Sequence, residues 1–272
     1  MKRLKWIIVL IIGIALTPFV ISNINSNSFT VFLQDEYNSI RISEDTIALY
    51  DSEGKETDFH NIDSKAMDCA MGDIDGDDIK ELIILTKRGI NPYGSEIIVF
   101  KLDSHITEIY REDFSDLNPW KVAKGDVDGD GKDEISVGVY KKTPLHQIMA
   151  KRPFIYYYED HRLLPKWRGS RLSKPFDDYD FFDIDGDEMD ELISIEVLQN
   201  GEKVINTYKW RGFGFEGLLQ SEGYDDIKDL RVENTSVFIT VIEKEGSYQG
   251  IVKMEGDILK IERVVAREKL GQ

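Results

Sequence analysis

The chain has 272 residues, 41% of them hydrophobic and 31% charged, with a formal net charge of -17. That hydrophobic content excludes a wholly disordered chain, and the acidity excludes general nucleic-acid binding through phosphate neutralisation. The single cysteine, Cys69, excludes an intramolecular disulfide and reads as a small core residue, because no base that would activate a nucleophile lies near it in sequence.

Residues 1–22 open with Lys2, Arg3 and Lys5 and continue as an uncharged run from Trp6 to Ile21. This is the pattern of an export signal or membrane anchor, expected as a hydrophobic helix outside the fold. No A-x-A cleavage pattern is visible, which favours an anchor that is kept, and no cysteine follows to carry a lipid. Basic residues before the run and an acidic bulk after it put the N-terminus inside and the large domain outside. The domain is therefore expected on the extracytoplasmic face of the membrane, in the cell envelope, or secreted if the segment is cleaved. Residues 23–28 (NINSNS) form a polar spacer, and the folded domain is expected over 29–272.

From Thr30 onward the chain reads as short strands punctuated by turns, with no sustained helical period. Strands are expected at Thr30–Leu33, Ser39–Ile42 and Thr46–Tyr50, followed by a turn at 51–54. An acidic, glycine-bearing block then occurs three times: GDIDGDDIKELIIL from Gly72, GDVDGDGKDEISVGVY from Gly125 and FDIDGDEMDELISIEV from Phe182. The first aspartates are Asp73, Asp126 and Asp183, which makes the spacings 53 and 57 residues, the scale of propeller blades. Each block is expected to head a unit of four strands, the first unit running through Glu81–Thr86, Glu96–Leu102, Ile106–Arg111 and Trp120–Ala123. The fold class expected is all-β, a β-propeller of about five four-stranded blades, closed by pairing of strands from the two termini.

Within residues 73–81, 126–134 and 183–191, carboxylates fall at loop positions 1, 3, 5 and 9. They are Asp73, Asp75, Asp77 and Glu81; Asp126, Asp128, Asp130 and Glu134; and Asp183, Asp185, Asp187 and Glu191. The carbonyls of Ile79, Lys132 and Met189 are available at position 7. Hard oxygen ligands in this number suit calcium, up to three ions, and so dense a cluster repels itself unless a cation neutralises it. An EF-hand is excluded: its glycine belongs at position 6 and its bidentate glutamate at position 12, which here is Ile84, Val137 or Ser194.

These loops resemble those of the FG-GAP or VCBS repeat family, including the integrin α-subunit propellers, whose loops read D-x-D-G-D-G-x-x-[DE] before a strand. The resemblance covers Gly72 to about Val197 and implies a β-propeller with calcium on the carboxylates just named. Position 6 departs from the pattern, being Asp78 and Glu188 where the middle loop has Gly131. If that residue needs positive φ, occupancy should fall from the middle loop to the first to the third.

The stretch from Tyr140 to Pro175 reverses the charge of the chain, with nine lysines and arginines against Glu159 and Asp160. Tyr157, Trp167, Arg168, Arg171 and Lys174 are candidates for gripping an anionic glycan or an acidic protein loop. The alternative is that the basic residues neutralise the acidic loops beside them. A second KWRG, Lys209–Gly212, reads with Lys166–Gly169 as a recurrent hairpin turn. His60, His105, His146 and His161 are scattered without ligand spacing, and no nucleophile elbow, zinc motif or P-loop is present. The expected function is a membrane-tethered, calcium-stabilised recognition or scaffold module without enzymatic activity. The alternatives are a hydrolase or lyase acting on surface polysaccharide and a structural subunit of a membrane complex.

Overall fold

A computed structural model describes residues 21–22, 30–34 and 39–264 apart from 104, 170 and 234. The described chain is all-β, with one 3-10 turn at Ser115–Leu117, and its strands form five antiparallel sheets. The first sheet comprises β1 (Ile21–Ser22), β2 (Thr30–Gln34), β3 (Ser39–Ser43), β4 (Thr46–Tyr50) and β5 (Glu56–Asn61). The second holds β6 (Lys65–Gly72), β7 (Glu81–Lys87), β8 (Glu96–Leu102) and β9 (Ile106–Asp113). The third holds β10 (Pro119–Gly125), β11 (Glu134–Thr143), β12 (His146–Glu159) and β13 (Arg162–Trp167). The fourth holds β14 (Phe176–Phe182), β15 (Glu191–Val197), β16 (Lys203–Trp210) and β17 (Phe215–Gln220). The fifth holds β18 (Asp226–Glu233), β19 (Ser236–Glu243), β20 (Gly246–Glu255) and β21 (Ile258–Arg263).

Every sheet is a meander built from one contiguous stretch, and period-2 alternation explains how the sheets stack. Along β7, Leu82 and Ile84 face the first sheet and pack on Ile40, Ile42 and Ile47, while Ile83 and Leu85 face the third and pack on Val122, Ile135 and Val137. Both faces are covered, so the strand reads as an unbroken apolar run. The same division recurs in β15, where Leu192 joins the core between the third and fourth sheets and Ile193 and Ile195 that between the fourth and fifth. Four cores thus join five sheets in sequence.

The structure moves one boundary. Trp120–Ala123 is not the last strand of the unit headed by Asp73; it belongs to β10, which pairs with β11 and opens the third sheet. Each acidic block therefore connects the first and second strands of a sheet instead of heading it. Among the described residues, no strand of the fifth sheet pairs with the first sheet and no core joins those two, so the expected pairing of the termini is not seen. Ile21 and Ser22 are strand, paired with Phe32 and Val31, and the rest of the expected N-terminal helix and the spacer lie outside the described residues. No helix among the described residues is long and apolar enough to cross a membrane.

Candidate functional site

All three acidic loops fold alike around their first aspartate. Asp73 Oδ1 accepts the N–H groups of Gly76 and Asp77, at 2.7 and 3.2 Å, and its Oδ2 accepts that of Asp78 at 2.8 Å. Asp126 holds Gly129, Asp130 and Gly131 in the same way, and Asp183 holds Gly186, Asp187 and Glu188. This wrap needs left-handed backbone at positions 4 and 6. Gly76, Gly129 and Gly186 supply the first. At position 6 Gly131 has φ +85° without strain, whereas Asp78 and Glu188 are forced to +65° and +69°.

Position 9 closes each loop from below. Glu81, Glu134 and Glu191 are buried, and one carboxylate oxygen of each accepts the N–H of Ile74, Val127 or Ile184. Burial raises all three carboxyls, Glu81 and Glu134 to about 7. Oxygens from Asp73, Asp75 and Glu81, from Asp126, Asp128 and Glu134, and from Asp183, Asp185 and Asp187 gather within 4.8 Å of one another. Asp77, Asp130 and Glu191 stand outside these clusters; Asp77, Asp130 and Asp187 accept the N–H of Ile79, Lys132 and Met189, respectively. In the first loop, Glu81 Oε1 and Asp75 Oδ1 are buried without a hydrogen-bond partner, as expected of oxygens arranged for a cation. The donor sets of the three loops therefore fit a divalent ion.

The loops also hold one another. Asp133 N–H donates to the Asp73 carbonyl at 2.7 Å while Asp73 N–H donates to Asp133 Oδ2 at 3.0 Å. Asp190 and Asp126 repeat this reciprocal pair at 2.7 and 3.1 Å. Position 8 of one loop thus grips position 1 of the loop before it, tying the second sheet to the third and the third to the fourth. The pattern explains its own ends. The first loop has no predecessor and carries Lys80 at position 8. Gly72 and Gly125 precede the first aspartates where a following loop presses in: a Cβ on Gly72 would meet Asp133 Oδ2 and sit 2.9 Å from Asp133 Cγ. The third loop has no acidic successor and carries Phe182 there instead.

A lysine enters each loop. Lys101 Nζ pairs with Asp75 at 3.1 Å and with Asp77, and stands 3.8 Å from Glu81. Lys166 bridges Asp128 and Glu134, the latter at 2.5 Å. Lys209 reaches Asp185, Asp187 and Glu191 at 2.7, 2.5 and 3.0 Å. The two KWRG segments are accordingly not a recurrent hairpin turn. Lys209 lies one residue before the end of β16 at a hairpin, Lys166 lies one residue before the end of β13 ahead of the crossing to the fourth sheet, and what they share is a lysine aimed into acid.

The basic stretch does not assemble one surface from its candidates. Trp167 packs edge-on against Phe215 at 5.2 Å, which Trp210 also meets at 5.3 Å. Lys174 bonds Gln220 at 2.8 Å and stands 3.6 Å from Glu196. Tyr157 lines a cavity of about 350 Å³ with Glu134 and Lys166, while Arg168 and Arg171 lie exposed. Of the nine cations, Lys166 and Lys174 pair with carboxylates. Arg152 is different: fully buried, it donates to the carbonyls of Lys141, His146 and Ile148 and fixes the long β11–β12 hairpin.

A second concave region comes from residues the sequence did not single out. Asp68, Lys121 and Asp178 each lie five residues before a first aspartate, and each follows a register shift in β6, β10 or β14. With Trp120, Lys203 and Asp229 they line a cavity of about 480 Å³ among the first strands. Lys121 pairs with Asp178 at 2.8 Å, and burial lifts the Asp68 carboxyl to about 6. The shared offset is visible in sequence, but the bulge that turns it inward is not. Cys69 packs against the first core, and burial raises its thiol, as suits a core residue.

Neither family models nor curated proteins give a match to this chain.

Proposed function

We propose that the five sheets are blades of a β-propeller akin to the FG-GAP and VCBS repeat proteins. In this reading the chain is a calcium-stabilised recognition or scaffold module, held outside the membrane by its N-terminal apolar segment. The observation that carries it is the reciprocal bonding of Asp133 with Asp73 and of Asp190 with Asp126, which commits the acidic loops to joining sheets. Asp73, Asp75, Asp77 and Glu81 would hold an ion in the first loop, and the matching residues of the other two in theirs. Calcium supplies charge neutralisation there, while the protein's own groups shape the wrap and bind loop to loop.

The recognition surface that fits this reading is the cavity among the first strands. Asp68, Asp178 and Asp229 alternate there with Lys121 and Lys203, a balance of sign suited to a protein segment carrying both charges more than to a polyanionic glycan. The reading is tested by melting the chain in millimolar calcium and in excess chelator. A lower melting temperature in chelator is expected, and superimposable curves would remove calcium from the account. Turnover of acidic glycans, expected to be nil, would return the hydrolase or lyase alternative if detected.

A further inference from the structure

The hairpin joining β11 to β12 reaches further than its counterparts. Starting alike at the position-9 glutamate, β7 and β15 run 7 residues and β11 runs 10. The ladder ends at the Thr143–His146 pair, and a register shift before it leaves residues 147–149 opposite Lys142 alone. Arg152 pins this bulge: buried, and paired with no carboxylate among the described residues, it donates to the carbonyls of Lys141, His146 and Ile148. A guanidinium buried away from any carboxylate is costly, so the fold holds the tip in one shape against a penalty.

The tip presents aliphatic side chains to solvent: Leu145 is 89% exposed and Ile148 63%. Tyr140, at the base of the hairpin, stacks on Tyr93 at 5.7 Å, which sets the β7–β8 turn alongside, and that turn projects a fully exposed Ile90. The charge around them is of one sign. Residues 135–158 include Lys141 and Lys142 and hold no aspartate or glutamate, and the 88–95 turn holds none either. The corresponding turns of the first, fourth and fifth sheets, 44–45, 198–202 and 244–245, each carry a glutamate. An acidic loop opens β11 and this hairpin closes it, so the tip lies at the opposite end of the strand from the carboxylate cluster.

We propose that the β11–β12 hairpin, with the β7–β8 turn beside it, docks on an anionic phospholipid surface. Leu145, Ile148 and Ile90 enter the acyl boundary, while Lys141 and Lys142 lay their stems along it and meet the headgroup phosphates. Protein interfaces centre on Trp, Tyr and Arg and under-use Leu, whereas this tip is aliphatic with a lysine collar, the composition of an interfacial anchor. A local excess of lysine in a chain of net charge -17 also selects a surface of negative potential. The inference goes beyond the calcium reading and does not depend on it.

An environment-sensitive dye on the full chain, attached at Pro144→Cys in a Cys69→Ala background, tests this. On vesicles of phosphatidylglycerol and phosphatidylcholine, a blue shift and quenching by lipids spin-labelled in the acyl chain are expected, with a much weaker response on phosphatidylcholine alone. Ile90→Cys should respond likewise, so the test does not hang on the proline. Lys141→Glu and Lys142→Glu should each weaken the response on the order of fivefold, and Leu145→Ser with Ile148→Ser should abolish it. The dye at Lys244→Cys, in the corresponding turn of the fifth sheet, should stay in water, which separates docking of the tip from retention of the chain by its N-terminal apolar segment. An aqueous spectrum at both 144 and 90 on anionic vesicles, or a response indifferent to the lysine reversals, would overturn the inference, even where the chain sediments with the vesicles. A blue shift without vesicles that rises with protein concentration would overturn it in favour of contact between copies of the chain.

Discussion

Gly72→Ala is the sharpest probe of the loop-to-loop grip. The position does not require positive φ, so alanine is conformationally acceptable there and would by itself stabilise by about 0.4–1 kcal/mol through the unfolded state. In the folded protein, however, the new methyl would sit 2.9 Å from both Asp133 Cγ and Lys124 Cδ and closer still to Asp133 Oδ2. Asp133 must withdraw, which breaks its 3.0 Å bond from Asp73 N–H and its 3.0 Å ion pair with Lys124. Crowding of this kind costs about 1–3 kcal/mol and loss of a hydrogen bond to a charged group about 1.5–3 kcal/mol. A net loss of about 2–3 kcal/mol is expected, roughly 5–10 °C in melting temperature for a chain of this size. The decisive assay is a double-mutant cycle by denaturant unfolding with Asp133→Ala. Once the carboxylate is gone, the methyl has room and the glycine substitution should be close to neutral. Equal cost in both backgrounds would refute the proposed contact, as would a neutral Gly72→Ala in the wild type.

Asp68→Asn should flatten the pH dependence of stability. Its folded value near 6 lies above the ordinary 3.8, so the folded state holds the proton more tightly and the associated stability is lost as pH rises from about 4 to 6. The full shift corresponds to about 3 kcal/mol, and partial solvent access at the cavity should reduce this to about 1 kcal/mol, measurable by urea unfolding at pH 4.5 and 7. Arg152→Met should leave three hairpin carbonyls without a donor and cost about 2–4 kcal/mol, with limited proteolysis appearing near residues 143–149. Glu188→Gly should stabilise by roughly 1 kcal/mol in a thermal melt by relieving the left-handed glutamate, whereas Gly131→Glu in the equivalent place should destabilise by a similar amount.

The strands and the loops were legible because both are local. Alternating apolar residues and turn formers located β2, β3, β4, β7, β8 and β9, and the carboxylate spacing with its glycine located the three loops and the strands β11 and β15 that follow the second and third. What stayed hidden depends on pairing between distant segments. The phase of the sheets was misread because Trp120–Ala123 is equally strand-like in either sheet, and only the burial of Val122 against Ile135 and Val137 decides. Asp133 and Asp190 fall outside the carboxylate spacing, and the clue to their role is that the first loop has Lys80 at the same position. Lys166 and Lys209 share a motif, but their common target is set by two different strand positions and a register shift, which no linear offset records.

The central claim is that the second and third acidic loops each fasten the loop before them, and hydrogen exchange in Asp133→Ala and Asp190→Ala tests it most directly. Removing the carboxylate from one loop should speed exchange at the amides of the preceding loop: at Asp73 and its neighbours in the first variant, at Asp126 and its neighbours in the second. Faster exchange confined to the mutated loop, with the preceding loop as protected as in the wild type, would contradict the account.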